Sequence, residues 1–185
     1  MPVVLLQGPS GAGKTYLGNR LSKDLGVPFI GKDTIKELLF DELGYPINRE
    51  VNYAYGRIAT SAIFSIIKEY CQLDMPLIID CAFYAKEAAE DMEGLGMYMN
   101  DLLQIYVTAP PSILMERFNN RLLNGERHVG HKDMTKNSVK DFIEYTKRYS
   151  PLDISRTISI DTSESIDDWY KDLRGGVSKF LSLSV

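Results

Sequence analysis

A glycine-rich octapeptide near the start of the chain has a spacing that predicts its chemistry. It reads Gly-Pro-Ser-Gly-Ala-Gly-Lys-Thr from Gly8 to Thr15 and matches the P-loop pattern G-x-x-x-x-G-K-[ST]. Backbone N–H groups of such a loop surround a phosphate, the lysine neutralises charge on the β and γ phosphates, and the threonine hydroxyl suits Mg²⁺. The motif predicts an ATP and Mg²⁺ site formed by Gly8, Ser10, Gly11, Ala12, Gly13, Lys14 and Thr15. The chain has no guanine-reading Asn-Lys-x-Asp sequence, which disfavours a GTPase.

Two carboxylates, Asp33 and Asp80, each follow a predicted strand. Ligands of open parallel sheets bind beyond the C-terminal ends of the strands, so we expect both side chains near the phosphates. We interpret Asp33 as the general base for an attacking hydroxyl and Asp80, with Thr15, as the metal ligand. The exchanged roles stay open, as do a helix N-cap for Asp33 and a surface turn for Asp80. Cys81 follows Asp80, where motor ATPases usually carry a glutamate that orients water, and this favours transfer over hydrolysis.

Three arginines are candidates for stabilising the transferring phosphoryl group. Arg117 and Arg121 are four residues apart and share a helix face, and Arg127 follows in a loop. Cations that close over a triphosphate stabilise charge and exclude water. We therefore predict a lid at about residues 117–134, and the alternative is a solvated basic face.

A long predicted helix offers a candidate surface for the phosphoryl acceptor. Arg49, Tyr53 and Arg57 recur every four residues, which places them on one polar-aromatic face. The face that contains Val51, Tyr55, Ile58 and Ala62 is then expected to pack into the core. A simple exposed face is the alternative for the first three residues.

The hydrophobic patterns predict alternating strands and helices. Strands are expected at 3–8, 28–30, 77–79, 102–107 and 157–160. Helices are expected at 17–25, 35–43, 51–70, 85–92, 111–123, 138–149 and 166–181, with a polar loop at 124–134. This order predicts one α/β domain, residues 1–185, with a mainly parallel sheet.

Composition restricts the partners and the location. The chain has 185 residues, is 44% hydrophobic and carries a formal net charge of −4, which disfavours a long polynucleotide partner. No apolar run approaches the roughly 20 residues that span a membrane, so we expect a cytoplasmic protein without a membrane partner. Cys71 and Cys81 lack metal-type spacing and are expected to be buried free thiols. The oligomeric state stays open.

These motifs resemble the small P-loop kinases related to nucleoside monophosphate kinases. The greatest similarity is to zeta-toxin-like, chloramphenicol-phosphotransferase-like and polynucleotide-kinase-like phosphotransferases. The resemblance rests on the P-loop, Gly31 to Lys36, Ile78-Ile79-Asp80, and the arginines followed by His128-Val129-Gly130-His131. It implies a three-layer P-loop fold with sheet order 2-3-1-4-5, a lid after the fourth strand, and an acceptor-activating carboxylate at Asp33. Polynucleotide kinases carry a phosphate-gripping arginine three residues later, whereas this chain has Lys36, which binds phosphate only as a point charge.

The sequence thus predicts an ATP-dependent kinase that phosphorylates a hydroxyl of a small molecule. Lys36, Arg49, Tyr53 and Arg57 are its predicted acceptor-binding residues. A nucleotide-binding regulator with slow or no hydrolysis and a polynucleotide 5′-hydroxyl kinase are the alternatives.

Overall fold

A computed structural model describes residues 2–84, 88, 92, 102–134, 139–153 and 156–182 of the chain. Five strands form one sheet in the order β2-β3-β1-β4-β5, and every pairing is parallel. The strands are β1 (Val3–Gln7), β2 (Phe29–Gly31), β3 (Leu77–Asp80), β4 (Leu102–Thr108) and β5 (Thr157–Asp161). The predicted sheet and its order are confirmed.

Helices connect the strands. They are α1 (Lys14–Leu25), α2 (Lys32–Leu43), α3 (Arg49–Gln72), α4 (Pro111–Leu123), α5 (Val139–Thr146) and α6 (Ile166–Phe180). Gly26 ends α1 in the left-handed conformation, φ 65°, which glycine adopts without the steric cost of a side chain. Within the described ranges, no helix has both the length and the apolar character needed to cross a bilayer.

The core lies on both faces of the sheet because successive β1 side chains point in opposite directions. Val4 and Leu6 pack in a cluster with residues of α1, α4, α5 and α6. Val3 and Leu5 pack on the other face with Ile63 and other residues of α3 and β3. The apolar run of β1 is therefore explained by burial on two sides, and the result is three layers.

Several local predictions were wrong. The expected polar loop at 124–134 contains a 3₁₀ helix, Val129–Met134, and α5 gives way to a second 3₁₀ turn, Lys147–Tyr149. Ile58 is 50% exposed, because α3 packs through Ala59, Ile63 and Ile67. Cys71 is half-buried, although Cys81 is fully buried as expected. The helix predicted at 85–92 lies mostly outside the described residues.

A buried glutamine at the end of β1 holds the segment that follows β3. Gln7 Oε1 accepts the N–H of Phe83 at 2.9 Å, and Gln7 Nε2 donates to the Phe83 carbonyl at 2.9 Å and to that of Ser150 at 3.3 Å. Gln7 is fully buried, so these groups have no access to water. These hydrogen bonds fix the position of the chain segment after Asp80, and this segment borders the phosphate loop.

Replacing Gln7 with methionine should leave the buried Phe83 amide without an acceptor. We expect the free energy of unfolding to fall by about 1–3 kcal/mol, the cost of an unsatisfied buried group. Urea denaturation measures the change. Lys171→Met, at an exposed position of α6, serves as a control and should change stability by less than about 0.5 kcal/mol. Equal effects for the two variants would contradict the role of Gln7.

Candidate active site

The P-loop joins β1 to α1 in a conformation that leaves its inner side open. Gly8 has φ 141°, and a Cβ there would collide with the carbonyl of Val107 on β4, so only glycine fits. Gly13 has φ 89°, and a Cβ there would meet nothing within 4 Å. Lys14 is buried, and its Nζ donates to the carbonyl of Pro9 at 3.0 Å, which holds the ammonium over the loop. The loop is thus shaped to receive a phosphate.

Thr15 and Asp80 meet where the P-loop helix approaches the end of β3. Thr15 Oγ1 donates to Asp80 Oδ2 at 2.7 Å. Burial raises the pKa of Asp80 above its usual range, although the Lys14 charge and the Thr15 hydrogen bond oppose the shift. Two hard oxygen donors next to a phosphate loop fit Mg²⁺, which keeps several waters and uses few protein ligands. The described residues hold no cluster of three His, Cys, Asp or Glu side chains that could bind a metal ion.

Asp33 is the second residue of α2, whereas the sequence placed it at the end of the second strand. Its carboxylate is 63% exposed to the cavity and lies 3.8 Å from Arg127, whose side chain is only 9% exposed. Burial in the cavity would raise the pKa of Asp33, but the charges of His131, Arg127, Lys32 and Lys14 outweigh it and lower the pKa. Asp33 is therefore ionised at neutral pH and able to accept a proton.

Lys36 is one helical turn after Asp33 and is surrounded mainly by other cations. Burial lowers its pKa from 10.5 to about 8, and the charges of Lys32 and Arg127 act in the same direction, while Asp33 opposes them. Its Nζ lies 5.5 Å from the centre of the Phe40 ring. The ammonium is thus held where its charged form is disfavoured.

The predicted arginines differ in their surroundings. Arg117 donates to Thr162 Oγ1 and to the Thr162 carbonyl, both at 2.9 Å, so it is held against the segment after β5. Arg121 is exposed on the same helix and lines the cavity. Arg127 lies 5.0 Å from the centre of the Phe118 ring and faces Asp33. Arg117 is thus held by hydrogen bonds, Arg121 is exposed to the cavity, and Arg127 faces Asp33.

One cavity of about 1480 Å³ brings the candidate residues together. Its lining includes Lys14, Thr15, Asp33, Lys36, Asp80, Arg117, Arg121 and Arg127. The predicted acceptor residues Arg49, Tyr53 and Arg57 line it from α3. Tyr53 is 53% exposed, Arg49 is exposed and Arg57 is half-buried. The cavity therefore joins the P-loop to the surface predicted to bind the acceptor.

The sequence prediction missed how the segment after Arg127 is attached to α2. His128 Nε2 lies 3.0 Å from Asp41 Oδ1, and His131 Nε2 lies 3.2 Å from Glu37 Oε1. Both rings contact Phe40, at 5.5 and 5.1 Å between ring centres, and a Cβ at position 130 would collide with that ring. The sequence did contain a signal for this acidic surface of α2, because Asp33, Glu37 and Asp41 recur every four residues on one helix face.

Two further features of the cavity wall also escaped prediction. Tyr145 Oη lies 3.0 Å from Ser10 Oγ of the P-loop and accepts from Tyr149 Oη at 3.2 Å, which links α5 to the phosphate loop. Trp169 lines the cavity from the first turn of α6, and its buried Nε1 has no hydrogen-bond partner within the described part of the chain. Neither Tyr145 nor Trp169 belongs to a recognisable sequence motif, so only the folded structure shows that they form part of the cavity wall.

Residues 3–147 match the protein family described as AAA domain, a match that spans most of the chain. The chain belongs to the AAA domain family. No curated protein sequence matches this AAA domain significantly.

Solved structures similar to this AAA domain include small kinases. A candidate kinase from Chloroflexus aurantiacus is 26% identical, with 94% of this chain and 97% of that chain aligned and a TM-score of 0.78. A gluconokinase from Sinorhizobium meliloti is 16% identical (98% and 94% aligned, TM-score 0.59), and a shikimate kinase from Bacteroides thetaiotaomicron is 18% identical (98% and 99% aligned, TM-score 0.56). The last two show the fold alone. The predicted membership of the small P-loop kinase group is confirmed.

Replacing Lys36 with methionine should stabilise this AAA domain at pH 7. The pKa of Lys36 is about 8 in the folded protein, below its value near 10.5 in the unfolded chain. Below pH 8 the folded protein therefore holds a proton that its surroundings disfavour, which lowers the free energy of unfolding. Between those values the unfolded chain binds more protons, so wild-type stability rises with pH and the advantage of Lys36→Met shrinks. Urea denaturation at several pH values checks this. The exposed Lys171→Met is the control, and a pH-independent difference for Lys36→Met would contradict the expectation.

Proposed function

We propose that the protein is an ATP-dependent phosphotransferase that moves the γ-phosphoryl group to a hydroxyl of a small molecule. The observation that carries the proposal is the meeting of a P-loop lysine, the Thr15–Asp80 pair and an ionised Asp33 in one cavity. The similarity to small P-loop kinases supports transfer in general. The choice of a small hydroxyl acceptor rests on the site residues.

In this proposal the P-loop and Lys14 bind the β and γ phosphates of ATP. Thr15 and Asp80 would hold Mg²⁺, which would neutralise part of the charge of the phosphates. At the other end, Trp169 and Arg117 border the space that the nucleoside would occupy. Both line the cavity; Arg117 donates to Thr162 after β5, and Trp169 lies in the first turn of α6. ATP is thus bound from β1 to β5, and the surface of α2 and α3 stays open for the acceptor.

Asp33 then serves as the general base. As the acceptor oxygen forms its bond to the γ phosphorus, its proton passes to an Asp33 carboxylate oxygen. The bond from the γ phosphorus to the β–γ bridging oxygen breaks, and ADP leaves with that oxygen. Arg121 and Arg127, in the proposed lid of residues 117–134, stabilise the charge on the transferring group, a contribution that reaches roughly 10³–10⁵ in rate for such arginines. Asp33 is released from Arg127 when the arginine turns toward the phosphates.

Lys14→Ala tests the nucleotide site. Removing the ammonium should weaken Mg-ATP binding and abolish measurable transfer, because no other described side chain lies within the loop to neutralise the phosphates. Calorimetry measures the affinity, and circular dichroism shows whether the fold is retained. Lys171→Ala, on the exposed side of α6, should bind ATP like the wild type. Unchanged affinity and turnover in Lys14→Ala would refute the assignment of the P-loop.

Asp33→Asn tests the general base. Asparagine keeps the size of the side chain but removes its charge and basicity, so Mg-ATP should still bind while transfer falls by about 10²–10⁴. Single-turnover ADP release separates the chemical step from binding.

Asp80→Asn is the matched comparison. It should weaken the response to Mg²⁺, because the Asp80 carboxylate accepts the hydrogen bond of Thr15, its proposed partner in holding the metal. The two roles must be exchanged if Asp33→Asn keeps full turnover while Asp80→Asn loses transfer with no change in its Mg²⁺ dependence. No transfer to any hydroxyl compound by the wild type, with ATP still bound, would favour a nucleotide-binding regulator.

A further inference from the structure

His131 is a buried side chain with one ring nitrogen left without a partner. The side chain is 2% exposed and lines the cavity from the 3₁₀ helix after Arg127. Its Nε2 lies 3.2 Å from Glu37 Oε1, whereas its buried Nδ1 has no hydrogen-bond partner within the described residues. A carboxylate accepts hydrogen bonds, so Nε2 carries the hydrogen of this contact and Nδ1 is the atom left over.

The unpartnered nitrogen makes His131 a poor choice for stability alone. In a neutral ring the Nδ1 lone pair lacks a donor, and in a charged ring the Nδ1 hydrogen lacks an acceptor, so the folded state is weakened in both forms. An apolar side chain would fill the same place beside the Phe40 ring, whose centre lies 5.1 Å away, without that loss. A buried polar group left unsatisfied calls for a functional explanation, and the cavity is where it should be sought.

His131 is attached to α2 one helical turn from Asp33. Glu37 follows Asp33 by four residues, which is about 6 Å along a helix axis and places both carboxylates on one face. The stretch of chain that carries His131 also carries Arg127, which lies 3.8 Å from Asp33. Two cationic side chains of one stretch thus approach the face of α2 that carries the proposed base.

Asp33 is subject to charges from several elements. The charged or titratable groups that act on it lie on α2, in the stretch after α4, at the start of α1 and at the end of β3; they are Lys32, Lys36, Arg127, His131, Lys14, Asp80 and Cys81. Burial favours the protonated carboxyl, and so does the like charge of Asp80. Among the cations that oppose burial, His131 has the largest effect and lowers the pKa of Asp33.

His128 provides a comparison within the same segment. Its Nε2 lies 3.0 Å from Asp41 Oδ1 and its ring contacts Phe40, so it holds the segment to α2 as His131 does. Asp41 follows Asp33 by eight residues, about 12 Å along the helix axis, which exceeds the screening length of about 8 Å at physiological salt. The side chain of His128 is also 20% exposed. Both histidines hold the segment, but the position of His131 suits it to act on the charge of Asp33.

We propose that His131 is a positioning residue for the general base: Glu37 and Phe40 hold its ring, and its positive charge keeps Asp33 in the carboxylate form when the segment after Arg127 lies on α2. This inference rests on the proposed function, because the role of Asp33 as the base belongs to that proposal. In the transfer step the acceptor proton passes to Asp33, and His131 neither gains nor loses a proton.

A carbon-13 NMR titration measures this effect without an acceptor. The protein is labelled at its aspartate carboxyl carbons, and Asp33→Asn identifies the Asp33 signal by its loss. In His131→Gln the glutamine amide can still donate to Glu37 but carries no charge, so the titration midpoint of Asp33 should rise by about one pH unit. His131→Leu removes the charge with an apolar side chain that suits the Phe40 surface. It should raise the midpoint in the same way, and it serves as the test if the glutamine variant does not fold.

His128→Gln is the matched control. It changes the equivalent contact with Asp41 and should leave the Asp33 midpoint where it is in the wild type. Two results would overturn the inference. One is a wild-type midpoint in both His131 variants. The other is an equal rise in His128→Gln and His131→Gln, since the histidines would then act only by holding the segment on α2.

Turnover shows whether the charge of His131 matters for the reaction. Single-turnover ADP release from Mg-ATP is followed across pH with water as the acceptor. The water oxygen bonds to the γ phosphorus, Asp33 takes a water proton, and ADP and phosphate leave. The acidic limb of the profile should move toward higher pH in His131→Gln, by the amount that NMR gives, and should stay in place in His128→Gln. An acidic limb that does not move in His131→Gln would overturn the role of His131 in the reaction.

Failure of the proposed function has a different signature. Lys14→Ala would then bind Mg-ATP as the wild type does, or Asp33→Asn would release ADP as fast as the wild type. The titration of Asp33 needs neither nucleotide nor turnover, so the effect of His131 on Asp33 is tested in that case as well.

Discussion

The parallel pairing of β1 between β3 and β4 is the constraint on which the site depends. Leu6 is in register with Asp80 on one side and with Ile105 on the other, so the loop after β1 and the carboxylate after β3 emerge at the same edge of the sheet. The 2.7 Å contact between Thr15 and Asp80 follows from this register. A glycine is required at position 8 for the same reason, because β4 runs so close to the loop that a Cβ would strike its backbone. Strand pairing, loop shape and the Thr15–Asp80 contact are therefore parts of one arrangement.

Lys36 is a charged side chain in an unfavourable position. Burial lowers its pKa to about 8; Asp33 opposes the shift, and Lys32 and Arg127 add to it. Such strain is typical of residues held for a ligand and seldom of residues that stabilise a core. Asp33 moderates the repulsion while it stays ionised, and the same negative charge makes it available as a base.

The segment after Arg127 links the cation that faces Asp33 to the helix that carries Asp33. His128 and His131 contact Asp41 and Glu37, and both rings rest on Phe40, so this segment and α2 present one continuous wall to the cavity. Tyr145 makes a comparable link from α5 to the P-loop through Ser10.

The sequence by itself determined the phosphate loop, the alternation of strands and helices, and the identity of Asp33, Asp80 and the arginines as candidates. These features are local, because glycine spacing and hydrophobic period act over a few residues. Tertiary structure alone decided which side of α3 is buried, that Arg117 is held by Thr162, and that the segment after Arg127 forms a 3₁₀ helix against Phe40. It also decided that Lys36 is partly buried beside Asp33, Lys32 and Arg127. Each of these depends on contacts between residues far apart in the chain, and no local pattern encodes which distant surface a side chain will meet.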